Sequence, residues 1–287
     1  MKKFNLFFAF VCVFAMSAAL FAQDAQEAAP ATDPVIAEEG GCDFPLRASI
    51  TLSTDTKYVC DGMIVTPDQV ASYDFCFGAY GLYIDFWGQY DMTDYNDRKY
   101  NYEELDYTIG YDYTFDCDFS PITVGAAWQY YEYPDSYRKA DGSELRDRLV
   151  KVSVSLDKVW GDEVQGLGFG GVFKYNYEDN QSYGDLWANY TYAVNEKLTA
   201  GVKGFLHIYD GDKWADTVGD YKGCGTRIHG FEIRPNVSYK YSEHLSFSGY
   251  VAANYFVTKS ARSYVTNESA NDHKPNTWAG VSATFSF

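Results

Sequence analysis

The sequence predicts an all-β fold, a transmembrane antiparallel up-and-down β-barrel of about 12 strands with short periplasmic turns and longer extracellular loops. Three observations carry that prediction. From Leu46 onward apolar and polar residues alternate with period two, as they do when a strand places successive side chains on opposite faces. The connections between the alternating runs sort by parity into short and long ones. Charged residues on the apolar parity fall only near strand ends, as at Glu132, Arg148 and Lys158.

The chain begins with Lys2 and Lys3, followed by an apolar stretch from Phe4 to Phe21 that ends among Ser17, Ala18, Ala19 and Ala22. This is the layout of a secretory signal peptide over residues 1–22, with a retained membrane anchor as the alternative. Cys12 lacks the small residues that precede a lipidated cysteine. Residues 23–44 are rich in Ala, Pro and acids without sustained periodicity, which predicts a flexible acidic periplasmic tether. Residues 45–287 form the barrel domain.

Within the barrel the clearest strand is Glu104 to Phe115. Leu105, Tyr107, Ile109, Tyr111, Tyr113 and Phe115 alternate with Glu104, Asp106, Thr108, Gly110, Asp112 and Thr114. Similar runs place strands at 46–60, 69–77, 81–91, 102–116, 121–133, 145–158, 166–177, 183–193, 197–209, 226–241, 244–256 and 276–287. Several reach the ~9–11 residues with which a tilted strand crosses a bilayer. Tyr and Phe gather at strand ends, for example Tyr90, Tyr113, Tyr130, Tyr192 and Tyr255, where interfacial girdles form. Pro235 falls on the lipid-facing parity of the tenth run and calls for a bulge or a different strand limit.

Long connections follow the odd runs (134–144, 210–225, 257–275), whereas those after even runs are mostly short, with 159–165 the exception. A sandwich has no reason to gather its long loops at one end; an outer-membrane barrel does. The last strand alternates to a C-terminal Phe287 with Phe285 two residues before it. That pattern resembles the signal by which the barrel-assembly machinery recognises outer-membrane barrels, so the machinery is an expected partner beside outer-membrane lipid.

Composition excludes other classes. With 40 acidic against 23 basic residues and a formal charge of −17, the chain does not suit nucleic acid, which requires clustered Lys and Arg. Its 27 Tyr, 20 Phe and 6 Trp are far from a disordered composition.

Residues 49–62 (SITLSTDTKYVCDG), 81–88 (GLYIDFWG), 104–111 (ELDYTIGY) and 131–134 (YEYP) resemble the TorF family of porins. The resemblance spans about residues 48–135, with departures at Cys60 and at Met63–Thr66. It implies an outer-membrane barrel that conducts solutes and supplies no catalytic or binding residues.

Enzyme and metal signals are poor. His244-Leu245-Ser246 has the spacing that outer-membrane phospholipases use, yet it sits at a short turn without an Asn or Asp to orient the imidazole. The four histidines, 207, 229, 244 and 273, lack metal-ligand spacing. The glycines of 166–171 are not followed by a helical pattern and suit a packed barrel wall rather than a dinucleotide. Asp210-Gly211-Asp212 with Asp216 and Asp220 reads as a Ca²⁺ loop or, more simply, as solvated acids. No catalytic, metal-binding or cofactor-binding residue is assigned. Beyond the signal segment lie Cys42, Cys60, Cys76, Cys117 and Cys224, an odd set in which Cys60–Cys224 could tie an outer loop to the rim.

The remaining chemistry is in the lumen. Asp74, Asp85, Asp91, Glu104, Asp106 and Asp112 fall on the inward parity of the second to fourth strands, and Lys151, Lys174, Lys203, Arg234 and Lys240 on that of the sixth to tenth. Opposed acidic and basic walls would set up a transverse field that orients small polar solutes or ions, with mild cation preference. The same groups could instead pair and close the lumen, leaving a structural or surface-interaction barrel.

Overall fold

The structure, a computed structural model, describes residues 46–60, 63–93, 102–117, 120–133, 146–161, 165–178, 181–210, 226–257 and 276–287. Fourteen strands are present among them: β1 (Leu46–Asp55), β2 (Tyr58–Cys60), β3 (Met63–Thr66), β4 (Val70–Ala79), β5 (Leu82–Asp91), β6 (Tyr102–Phe115), β7 (Ile122–Glu132), β8 (Arg146–Gly161), β9 (Gln165–Asn176), β10 (Gln181–Ala193), β11 (Leu198–Asp210), β12 (Thr226–Lys240), β13 (Leu245–Phe256) and β14 (Asn276–Ser286). All but β2 and β3 form one closed barrel, in which each strand pairs antiparallel with its sequence neighbour and β14 pairs with β1. Closure leaves no edge, so every strand finds a partner on both sides.

The expected twelve strands are thus the twelve staves of the barrel, with one correction. The first run, taken as a single strand over 46–60, ends at Asp55, and its last residues form β2, which pairs with β3 as a separate two-stranded sheet. The sequence between them is Asp61-Gly62, a strong hairpin signal that unbroken alternation concealed.

Alternation sorts side chains as expected. Leu52, Ile84, Ile109, Val152, Leu186, Ile233 and Val251 are exposed on the outer surface, while their sequence neighbours point inward. At the short-turn end Tyr80 (φ 53°) and Gly81 (φ 86°) join β4 to β5. Two left-handed residues twist a hairpin in the sense of its strands, and Tyr80 occupies that region without being glycine. Glu132 and Arg148, two of the three charges on the lipid parity, stand at the other end, beside Arg146 (3.8 Å) and Glu178 (3.0 Å) respectively.

Pro235 is accommodated without a bulge. The pairing of β12 with β13 holds one register from Gly230–Phe256 to Lys240–Ser246 and lapses at Arg234 and Pro235; the β12 irregularity lies instead opposite His207/Ile208. The missing proline donor therefore falls in a two-residue gap in the ladder. A second irregularity, between Leu156 and Trp160 of β8, ends the predicted alternation near residue 158 and lets the strand continue to Gly161.

Candidate lumen site

The inward wall differs around its circumference. Across β13, β14, β1 and β4 it is small and hydroxylated: Ser248 pairs with Ser282 (2.7 Å), Thr51 with Thr284 (3.0 Å) and Ser53 with Ser72 (2.5 Å). Aromatic residues also lie along it: the Tyr83 ring covers Gly110, Trp187 covers Gly170 and Tyr250 covers Gly280, each where a Cβ would collide with the ring. An aromatic laid across a facing glycine is a known device for pinning β register.

Pair registers put every acid of the predicted wall on the inward face, but in two settings. Asp91, Glu104 and Asp106 are buried, at 0%, 4% and 9% exposure. Asp91 accepts hydrogen bonds from the backbone and hydroxyl of Thr93, both 2.7 Å, and so shapes the strand end. Glu104 accepts from the Tyr58 hydroxyl at 2.8 Å, and the Tyr58 ring lies 5.5 Å from that of Trp87. The β2–β3 hairpin therefore reaches the inner face of β5 and β6. Burial, reinforced by the charges of Cys60 and Glu104 beside it, pushes the Tyr58 hydroxyl well above its ordinary value, so it remains a donor. Asp106 accepts from Gln129 (3.4 Å), whose Oε1 in turn accepts from Tyr131 (3.1 Å). In contrast Asp74 and Asp85 are half-buried and near each other, and Asp112 is exposed.

The predicted basic wall is also inward, yet it divides. Lys151 faces Lys174 in the β8–β9 register. These two strands stand near the acids rather than across from them, and Lys174 interacts electrostatically with Asp106 and Lys151 with Asp112. Lys203 faces Arg234 in the β11–β12 register, on the opposite side of the barrel from β5 and β6. Lys240 lies inward at the short-turn end, opposite Ser246.

One group was missed as a site. His207 is 3% exposed, with Nδ1 2.5 Å from Asp185 Oδ1 and Nε2 3.5 Å from Glu232 Oε2. Glu232 Oε1 accepts from Arg234 Nε at 2.8 Å and lies 2.5 Å from its Nη2. The far wall is thus an alternating charge network, not a basic one. The signal was available: Asp185, His207 and Glu232 share the inward parity, but only the register sets His207 opposite Asp185.

Other expectations find their places. Phe285 points outward, and its ring meets that of Phe287 edge-on at 4.6 Å; Phe287 continues the pairing by donating to the Ala48 carbonyl (2.9 Å). His244 sits in a short turn, Nδ1 2.9 Å from the Ser286 carbonyl oxygen, and serves the C-terminal strand. Among the described residues Cys76 and Cys117 are free thiols. Cys42, Cys224, Asp212, Asp216, Asp220, the 258–275 loop, and residues 1–45 with the signal and tether lie outside the described residues.

A closed twelve-strand antiparallel barrel, apolar outside and polar within, defines the class: this is the fold of outer-membrane porin-type barrels. No family model and no curated sequence matches the chain. Among solved structures, an outer membrane channel from Pseudomonas putida F1 is similar with a TM-score of 0.50 and 11% identity, over 88% of this chain and all of that one. The NanC porin (TM-score 0.47, 11% identity) and the KdgM porin (0.47, 10%) each align with 83% of this chain and with 98% and 99% of their own. At these identities the likeness is one of fold.

Proposed function

We propose that the chain is an outer-membrane porin-like channel for passive diffusion of small polar solutes or ions through a mixed-charge lumen. The single observation that carries this reading is the inward parity of all twelve staves, which holds charged and hydroxylated residues where a closed soluble core would hold apolar ones. Residues that lie flat on the wall, such as Tyr83 over Gly110 and Trp187 over Gly170, favour an open bore. The TorF-family resemblance maps to β1–β7 and the β2–β3 hairpin, and it agrees with this reading. Export through the 1–22 signal segment, a periplasmic 23–44 tether, and assembly through Phe285 and Phe287 belong to the same proposal.

Cation preference rests on Asp74, Asp85 and Asp112, because the other three acids are withdrawn from water. A second reading, a closed structural barrel, is favoured by the hairpin contact from Tyr58 to Glu104 and by the buried Gln89, Asp91, Leu149 and Asn254. Planar-bilayer recording of the purified protein separates the two. Discrete conductance steps are expected, and a silent bilayer containing folded protein would reject the channel.

A further inference from the structure

The wall facing the hairpin carries a polar group without a use in the fold. Lys203 points inward from β11, and its Nζ stands 4.5 Å from the Trp187 ring centroid and 4.9 Å from that of Phe205. Among the described residues it makes no hydrogen bond or ion pair. Arg234, its register partner, is held by Glu232 and lies 5.1 Å from Phe205 and 4.8 Å from Tyr250. Asn189 faces Lys203 from β10, and its side-chain amide has no protein partner among the described residues. Its neighbours on the inward face are Trp187 and, across the β9 ladder, Gly168.

Cation–π contact is worth about 0.5–2 kcal/mol and does not neutralise the ammonium. A charge-assisted hydrogen bond to a carboxylate is stronger, and the three N–H groups of Lys203 remain available for one. The site is half-buried, so an anion arriving there is screened less than at the outer surface. An amide beside the cation both donates and accepts, which suits hydroxyl groups, and the Trp187 and Phe205 faces suit a carbon skeleton with C–H groups. Glu232 and Asp185 disfavour a second negative charge.

We propose that Lys203, Asn189, Trp187 and Phe205 form a binding site on the lumen wall for small singly charged hydroxylated carboxylates of the sugar-acid type. This deepens the channel reading and rests on it for the route by which the solute arrives. Lys203 takes the carboxylate, Asn189 takes hydroxyl groups, and the aromatic pair covers the skeleton.

Isothermal titration of the full chain folded in detergent micelles tests it, using sodium D-glucuronate, D-glucose and sodium acetate as probes. Saturable binding of glucuronate is expected, with glucose and acetate each weaker by about tenfold or more. Lys203→Met should weaken glucuronate binding by a similar factor, Lys203→Arg should restore most of it, and Asn189→Ala should bring glucuronate toward acetate. Heat-modifiable migration on gels establishes that each variant is folded before titration. Equal binding of glucose and glucuronate, equal binding of acetate and glucuronate, unchanged binding in folded Lys203→Met, or no binding at all would each overturn the proposal. Because titration needs no transport, binding without conductance rejects the channel and keeps the site, and conductance without binding does the reverse.

Discussion

Tyr58, on the β2–β3 hairpin between two staves of the barrel, donates a hydrogen bond to the buried carboxylate of Glu104 on β6 at 2.8 Å. The contact joins a segment outside the wall pairing to the inner face of the wall itself. It also explains why an acid can be held at 4% exposure in a lumen: its desolvation is offset by a donor delivered from the hairpin.

Removing the donor should loosen the hairpin. Tyr58→Phe is expected to cost about 1–3 kcal/mol through the lost hydrogen bond to the Glu104 carboxylate and to raise mean single-channel conductance. Replacing 58–66 by a short Gly-Ser link should raise it further. Alkaline pH acts in the same direction. The folded-state hydroxyl titrates above the unfolded one, so the folded protein holds the extra proton, and the hairpin's contribution is intact below the ordinary tyrosine value and falls as pH rises beyond about 10. Conductance recorded from pH 7 to 11 checks this; hairpin deletion that leaves conductance unchanged would show that the hairpin does not narrow the path.

The acids should differ in their effect on selectivity. Asp112 is exposed to the lumen and Asp106 is buried under Gln129. Asp112→Asn is therefore expected to move the reversal potential in a salt gradient toward anions, with Asp106→Asn moving it little. The opposite ranking would show that the buried acids face the solute path.

Glu232 restrains Arg234 through two contacts to one oxygen. Glu232→Gln should release the guanidinium into the bore and raise anion permeability, measured as a shift of reversal potential in KCl gradients.

Face assignment can be read from stability. Val152 points to lipid at 51% exposure and Ser153, next to it, points inward. Val152→Lys should destabilise the barrel by roughly 2–4 kcal/mol if it lies near the bilayer midplane, whereas Ser153→Lys should cost far less. Denaturant titration in lipid vesicles compares the two, and equal costs would contradict the inside-out arrangement.

Gly170 tests the flat aromatic. A side chain there would strike the Trp187 ring, so Gly170→Val should swing the indole into the bore, cost about 1–3 kcal/mol and lower conductance. Trp187→Ala in the same background should recover conductance if the ring is the obstruction.

The alternation of Leu105, Tyr107 and Ile109 against Asp106 and Thr108 fixed which face of each strand meets lipid, and with it the barrel, because a period of two is a local property of the chain. The same parity placed Asp74 through Asp112 and Lys151 through Lys240 inward without any knowledge of pairing. What alternation does not encode is depth, covering and partner. Asp106 and Asp112 share one strand and one face, yet one is buried and the other open, because Gln129, brought from β7, covers only the first. Likewise Asp185, His207 and Glu232 come together only through two inter-strand registers, which depend on contacts between residues far apart in sequence. The single-chain pattern decided inside from outside; only closure of the sheet decided which inward groups neutralise one another and which, like Lys203, are set against aromatic rings instead.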